Sequence, residues 1–268
     1  MTLYIWLCVS SVVCFITCAC ARTLDHRDGV PRVQVDFYME TLCPFCAMFA
    51  THNLPTMKEQ GLFDIIDLTL IPFGNAKVKS NATAASPTVF ECQHGPEECE
   101  GNRVEMCALT LHGMDRWFPF TVCFERYFPA TRNASLTAAS CAGRAEVDAL
   151  EILDCAAGPR GAELEARAFA RTQALIPPHT FVPWVVVNGE PACGGADGCD
   201  SVPITICQLY TGPKPEACAA ILANASAAVP PSSSVLRFPS GAAAAATKPK
   251  ACMRTPTSEQ EMDGSAIQ

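Results

Sequence analysis

An alternating run, Val33-Gln34-Val35-Asp36-Phe37-Tyr38, closes shortly before Cys43-Pro44-Phe45-Cys46. Beyond it Ala47, Met48, Phe49, Ala50, Leu54 and Met57 recur at mostly helical spacing. Period-two alternation marks a half-buried strand, and the change of period at Cys43 marks a helix start. Few local patterns restrict a fold as much, because strand, turn and helix together must deliver two thiols to one helix end. Pro55 is expected to kink that helix, since it supplies no N–H and its ring clashes with the preceding turn.

The chemistry follows from the helix end. Unpaired N–H groups and the macrodipole favour an anion there, so a Cys43 thiolate should form below the ordinary thiol pKa of about 8.5. Pro44 suits the first turn, where its missing N–H would have no partner anyway. Cys46, one turn on, is placed to attack a mixed disulfide formed on Cys43. This strand, Cys-x-x-Cys, helix order is the layout of a thioredoxin-like redox site. A structural disulfide and a zinc site are the competing readings. Zinc would need a second ligand pair at matching spacing, and secretory cysteines oxidise in preference to binding it.

The chain has 268 residues, a net charge of -8 and 17 cysteines. That length fits one globular domain with appendages, and the acidic balance argues against a nucleic-acid partner. So many cysteines place the chain in an oxidising, secretory compartment. Residues 1–21 read as a signal peptide: Leu3 to Cys18 is apolar and Ala19-Cys20-Ala21 gives small residues at the cleavage positions. No Lys or Arg precedes the apolar run, so a retained anchor is the alternative. Cleavage is the favoured reading and leaves no stable membrane insertion.

Residues 22–32 form a polar lead-in or short propeptide, and 33–226 the folded domain. Asp64 to Ile71 is almost continuously apolar and is expected to be a central strand. From about 77 to 174 alanine, paired cysteines and helical spacing take over, which predicts a helical insertion between two halves of an α/β fold. Strand character returns at Phe181-Val182-Pro183-Trp184-Val185-Val186-Val187, with a hairpin turn at Asn188-Gly189. Ser201 is the expected N-cap of a closing helix reaching Tyr210. Residues 227–268 are rich in Pro, Ser and Ala; they are expected to be disordered or removed, with no lipid-anchor signal. Asn81, Asn133 and Asn224 head glycosylation sequons.

Without the leader cysteines and the Cys-x-x-Cys pair, ten cysteines remain in the domain and Cys252 lies in the tail. An even number suits disulfides; Cys207 with Cys218 and Cys193 with Cys199 are the plausible local pairs. The pairing of Cys92, Cys99, Cys107, Cys123, Cys141 and Cys155 is not readable from spacing. Cys252 is left over, unpaired or linking two chains. His94, with Gln93 beside it, reads as a structural residue of a disulfide-bonded turn rather than a ligand or proton shuttle, because protonated imidazole binds metal poorly. Glu40 reads as a solvated strand-end carboxylate, with tuning of the thiol as the alternative.

One longer stretch is more specific. Cys92-Gln93-His94-Gly95-Pro96-Glu97-Glu98-Cys99-Glu100-Gly101-Asn102, followed by Cys107, resembles the signature of the gamma-interferon-inducible lysosomal thiol reductase family. Glu40 to Cys46, Pro72-Phe73-Gly74-Asn75-Ala76, Pro177-Pro178-His179, Val182-Pro183-Trp184, and Cys207-Gln208-Leu209-Tyr210 with Cys218 are similar to that family as well. The segment from Cys193 to Cys199 has no place in the pattern. The resemblance implies a thioredoxin-like fold with a helical, disulfide-bonded insertion, and Cys43 and Cys46 as catalytic thiols. It also implies a cis Pro183 that, with Val182, positions an extended substrate. The implied activity is reduction of protein disulfides in acidic endosomes or lysosomes, with electrons from a small thiol and neither metal nor resident cofactor. A disulfide oxidase or isomerase, and a non-catalytic chaperone-like module, are the alternatives, since a Pro-Phe spacer does not set the reduction potential.

Overall fold

In the computed structural model, residues 29–79, 88–193, 199–227 and 252–254 are described. The chain divides into Met1–Pro31 and Arg32–Gln268, and every element named below belongs to the second unit. The leader, Asn81 and most of the tail lie outside the described residues.

Strand β1 (Val33–Met39) holds the centre of a four-stranded sheet ordered β2-β1-β6-β7. Its odd positions Val33, Val35, Phe37 and Met39 are buried, and Phe37 packs its ring 4.7 Å from Phe49 of the following helix. Asp36 and Tyr38 face the other way, toward Arg171, whose guanidinium lies 3.0 Å from the Asp36 carboxylate. Strand β2 (Ile66–Pro72) runs parallel to β1 in the register Val33 to Ile66 through Met39 to Pro72. It is an edge strand of this sheet, which corrects the expectation of a central one. Its apolar run has another cause: helices from the insertion pack on β2 and keep water from it.

Between these strands lie α1 (Pro44–Met48), a π-turn (Phe49–Asn53) and α2 (Leu54–Glu59). Pro55 does not break the rod. The π-turn widens the preceding backbone, and Leu54 donates to the Phe49 carbonyl, so the proline enters as an N-terminal residue of α2.

The insertion begins with a two-stranded ribbon, β3 (Lys77–Val78) and β4 (Phe90–Glu91), and turns helical at Pro96. Helix α3 (Pro96–Thr131) reverses at Gly113, where φ is +72° and ψ 177°. Its two arms lie against each other: the Trp117 indole and the Thr121 hydroxyl each donate to the Glu105 carboxylate at 2.8 Å. Helices α4 (Ala134–Ala145), α5 (Ala149–Ala157) and α6 (Pro159–Gln173) complete it. Asn133 caps α4 through its side-chain oxygen, accepting from Leu136 N at 2.8 Å, and is exposed.

The second half supplies β5 (Phe181–Val182), β6 (Trp184–Val187) and β7 (Glu190–Pro191), then α7 (Val202–Leu209) and α8 (Ala217–Ala227). Strand β6 lies antiparallel to β1, and Asn188 (φ +49°) with Gly189 (φ +90°) makes the expected tight hairpin turn into β7. Ser201 takes the expected N-cap position of α7, its carbonyl accepting from Thr205 N at 3.0 Å, but its hydroxyl makes no cap bond and donates instead to the Ala192 carbonyl, tying the helix start to the end of the hairpin. Asn224 is exposed on α8.

The ten domain cysteines form five disulfides: Cys92–Cys99, Cys107–Cys155, Cys123–Cys141, Cys193–Cys199 and Cys207–Cys218. Both expected local pairs are present. The Cys107–Cys155 bond closes the longest of these loops, with a separation of 48 residues. On the chain-entropy estimate its removal costs about 4 kcal/mol, against about 2.5 kcal/mol for the short Cys92–Cys99 loop. Thermal unfolding of the Cys107→Ser/Cys155→Ser chain is expected to show the larger fall; equal falls would contradict this ordering.

Candidate redox site

Cys43 is the N-cap of α1, with φ -74° and ψ 117°, and its carbonyl accepts the first helical bond from Ala47 N at 2.9 Å. Leu42 before it takes φ +66°, which swings the chain from strand into helix. The Cys43 sulfur lies 3.9 Å from the Val182 carbonyl oxygen, and the Val182–Pro183 bond is cis. Val182, the residue before the cis proline, therefore borders the Cys43 sulfur although 139 residues separate the two in sequence. Cys46 is fully buried, and burial, followed by the nearby Glu40 charge, pushes its thiol well above the ordinary value.

The disulfide partner of Cys43 is the main departure from the sequence reading. Cys43 is bonded to Cys252, 209 residues away, and Cys46 is the free cysteine among the described residues. Cys252 is thus neither unpaired nor left for a second chain in this state. Its segment forms β8 (Cys252–Met253), antiparallel to β5, with Phe181 opposite Met253 and Val182 opposite Cys252. The expectation of an unstructured tail fails for these residues.

Glu40 is also corrected. It is completely buried rather than solvated, and it accepts from the Asn75 backbone N–H at 2.7 Å. Burial first, then the adjacent Glu98 carboxylate, raises its pKa to about 8. Gly74 leaves the room this requires: a Cβ there would meet the Glu40 carboxylate at 2.2 Å, and φ is +57°.

The cysteine-flanked signature holds the site in place. Glu98 accepts from the backbone N–H groups of Gln93 (3.2 Å) and His94 (2.9 Å), and from His94 Nδ1 at 2.5 Å. That bond raises the His94 pKa. Asn102 accepts from Thr41 N at 2.9 Å, and the Thr41 hydroxyl donates to the Glu98 carbonyl at 3.0 Å. The start of α3 thereby anchors the turn that carries Cys43. A Cβ at Gly101 would strike Phe128 at 2.4 Å and Thr41 at 2.5 Å, so glycine is required for the close approach. Asn75, Glu98 and Asn102 hold this site together through their hydrogen bonds and are not singled out by periodicity; their signal was membership of the two quoted motifs. His94 has the structural role expected of it, its ring bonded to Glu98 and within 4.8 Å of the Cys252 sulfur.

Two clusters bring three potential metal donors within 4.8 Å of one another: Glu40, His94 and Cys252, and Cys92, Cys99 and Glu165. In each, the sulfur is engaged in a disulfide and is no thiolate donor in this state. No described helix is long and apolar enough to cross a membrane.

The arrangement matches known proteins in sequence and in fold. Residues 34–145 match the family described as gamma interferon inducible lysosomal thiol reductase. The gamma-interferon-inducible lysosomal thiol reductase of Mus musculus is 36% identical over 193 residues, covering 71% of this chain and 73% of that one. The protein of the same name from Carassius auratus is 35% identical over 190 residues, covering 69% and 72%. A gamma-interferon-responsive lysosomal thiol protein of Arabidopsis thaliana is 33% identical over 209 residues, covering 76% and 84%. Among solved structures, oxidised BdbD from Bacillus subtilis superimposes with a TM-score of 0.52 at 14% identity, covering 69% of this chain and 91% of its own. That likeness establishes a thioredoxin-like fold, here carrying a helical, disulfide-bonded insertion. With Cys43 at the helix start and the signature packed against the turn that carries it, the chain belongs to the gamma-interferon-inducible lysosomal thiol reductase family of thiol oxidoreductases.

Proposed function

We propose that this chain reduces protein disulfides in an acidic endosomal, lysosomal or secreted setting, drawing electrons from a small thiol and needing no resident cofactor. The observation that carries the reading is the mixed-disulfide arrangement itself: Cys43 bonded to an extended segment on β5, with the Cys46 thiol one helical turn behind. Cys43 thiolate attacks one sulfur of a substrate disulfide and releases the other as a thiol. Cys46 then attacks the Cys43 sulfur, the bond to substrate breaks, and the second substrate sulfur leaves as a thiol. Two electrons have passed to the substrate, and two equivalents of the small thiol replace them by reducing Cys43–Cys46 and leaving as their own disulfide.

The charges around the site support work in acid. An ordinary thiol is only roughly 0.03% ionised at pH 5, so the Cys43 pKa must be depressed for useful attack. A helix N-terminus supplies part of that. Glu40, with its pKa near 8, is uncharged at pH 5 and no longer opposes a thiolate. His94, with a raised pKa, is cationic there, and its ring lies within 4.8 Å of the Cys252 sulfur that stands for a substrate sulfur.

The test is single-turnover reduction of an insulin-type substrate by the pre-reduced chain. The rate is expected to change by no more than about threefold from pH 7 to pH 5, where an unperturbed thiol loses about 100-fold of its thiolate. A rate that falls in parallel with a free thiol would remove the acidic-compartment reading.

A further inference from the structure

We infer that Asn75, Gln93 and the edge of β5 form a binding site for one extended, cysteine-bearing polypeptide segment, and that Cys252–Arg254 occupies it as an internal substrate. This rests on Cys43 being the reactive sulfur, as proposed above.

The site reads backbone. Asn75 Nδ2 donates to the Cys252 carbonyl at 3.1 Å, and Gln93 Nε2 donates to the Met253 carbonyl at 2.9 Å. The two carboxamides are joined, Asn75 Nδ2 to Gln93 Oε1, at 2.7 Å. Arg254 N donates to the Thr180 carbonyl at 2.8 Å, continuing the β5–β8 pairing. The Met253 side chain, by contrast, is 51% exposed. Apart from the cysteine sulfur, these bonds use groups that any polypeptide carries, which is recognition by strand addition. The chemical class of ligand is therefore an extended peptide with a cysteine two positions ahead of the residue that pairs with Thr180. A small disulfide without amides cannot make these bonds.

The internal occupant leaves by exchange. The Cys46 thiol gives up its proton as its sulfur attacks the Cys43 sulfur, the bond to Cys252 breaks, and the Cys252 sulfur takes up a proton and departs as a thiol. One disulfide replaces another with no net electron transfer, and two equivalents of a small thiol then reduce Cys43–Cys46 and leave as their own disulfide.

The experiment measures adduct equilibria at Cys43 rather than turnover. In the full chain with Cys46→Ser, the glutathione concentration that half-opens Cys43–Cys252 is read by alkylation and mass spectrometry. In Cys46→Ser/Cys252→Ser, the adducts of an extended one-cysteine peptide and of 2-mercaptoethanol are compared. Gln93→Met keeps the side-chain length and removes the donor. It is expected to lower the required glutathione, and the ratio of peptide to mercaptoethanol adduct, each about three- to tenfold, the worth of one net hydrogen bond. A peptide ending in cysteamine, which lacks both carbonyls, tests the same bonds without altering the protein and should show at least as large a loss. An unchanged ratio overturns the inference, and so does a loss confined to Cys43–Cys252, which would make Gln93 a clamp for the tail alone. A chain that shows the expected ratios yet reduces no protein disulfide overturns the reductase reading and leaves this one standing.

Discussion

Cys43→Ser is expected to lose single-turnover reduction of a protein disulfide by at least ~10³-fold, because a hydroxyl cannot be ionised by a helix N-terminus to any useful extent. Cys46→Ser should behave differently. Its first attack is intact, but no thiol follows, so substrate should remain bonded to Cys43. A non-reducing gel at pH 5 separates the two: no adduct with Cys43→Ser, one per chain with Cys46→Ser once Cys252 has been displaced. The contrast depends on which sulfur meets the substrate edge. Both cysteines are buried in this disulfide-bonded state, but it is Cys43 that lies against Val182 and is bonded to the neighbouring strand, while Cys46 is the free thiol. If Cys43→Ser kept a tenth of the rate, another thiol would be the nucleophile.

The folded domain should be markedly more stable at pH 5 than at pH 8. Burial raises the carboxyl pKa of Glu40 to about 8 and of Glu105 to about 7, and pushes Glu125 well above the usual range. The unfolded chain gives up these protons near pH 4.5, so between there and pH 8 the native state binds more protons and stability falls as pH rises. His94 acts in the same direction, since its folded pKa is also raised. His179 acts against it: burial, then the Arg254 charge, lowers its pKa to about 4, so its contribution is lost as the solution becomes acidic. At about 1.4 kcal/mol per pH unit and group, Glu40 and Glu105 less the opposing His179 come to a net loss of roughly 3–5 kcal/mol from pH 5 to pH 8, to which Glu125 and His94 add in the same direction. For a domain of this size that lowers the melting temperature on the order of 10 °C. Calorimetry on the disulfide-intact chain measures it, and Glu105→Gln should flatten the dependence. A melting temperature that rises between pH 5 and pH 8 would contradict the assignment of these carboxyls as buried acids.

Other features were legible wherever their physical cause is local. Alternation of apolar residues from Val33 identified β1, and the period change at Cys43 identified the helix start, because both report which face of a short segment is buried. Asn188-Gly189 carried its turn in its own backbone preferences. Cys193–Cys199 and Cys207–Cys218 close short loops, which cost little entropy and pair neighbours in sequence. The ordered motifs from Glu40 to Cys218 were enough to point to the family.

Where sequence reading failed, the cause was non-local. The apolar run at β2 reports burial but not what buries it, and helices of the insertion cover a strand at the sheet edge. Ser201 sits at the N-cap as read, but a carbonyl from the preceding hairpin takes the hydroxyl that would have made the cap bond. The charge on Glu40 depends on Asn75, Glu98 and the gap left by Gly74, which three separate segments bring together. The pairing of Cys43 with Cys252 spans 209 residues and has no signature in either neighbourhood. Local periodicity determined the strand and the helix start of this protein, and with them where Cys43 and Cys46 fall on the helix. Tertiary packing decided which sulfur Cys43 holds, which carboxyls keep their protons, and which backbone the site can bind, because each depends on groups that meet only after the chain has folded.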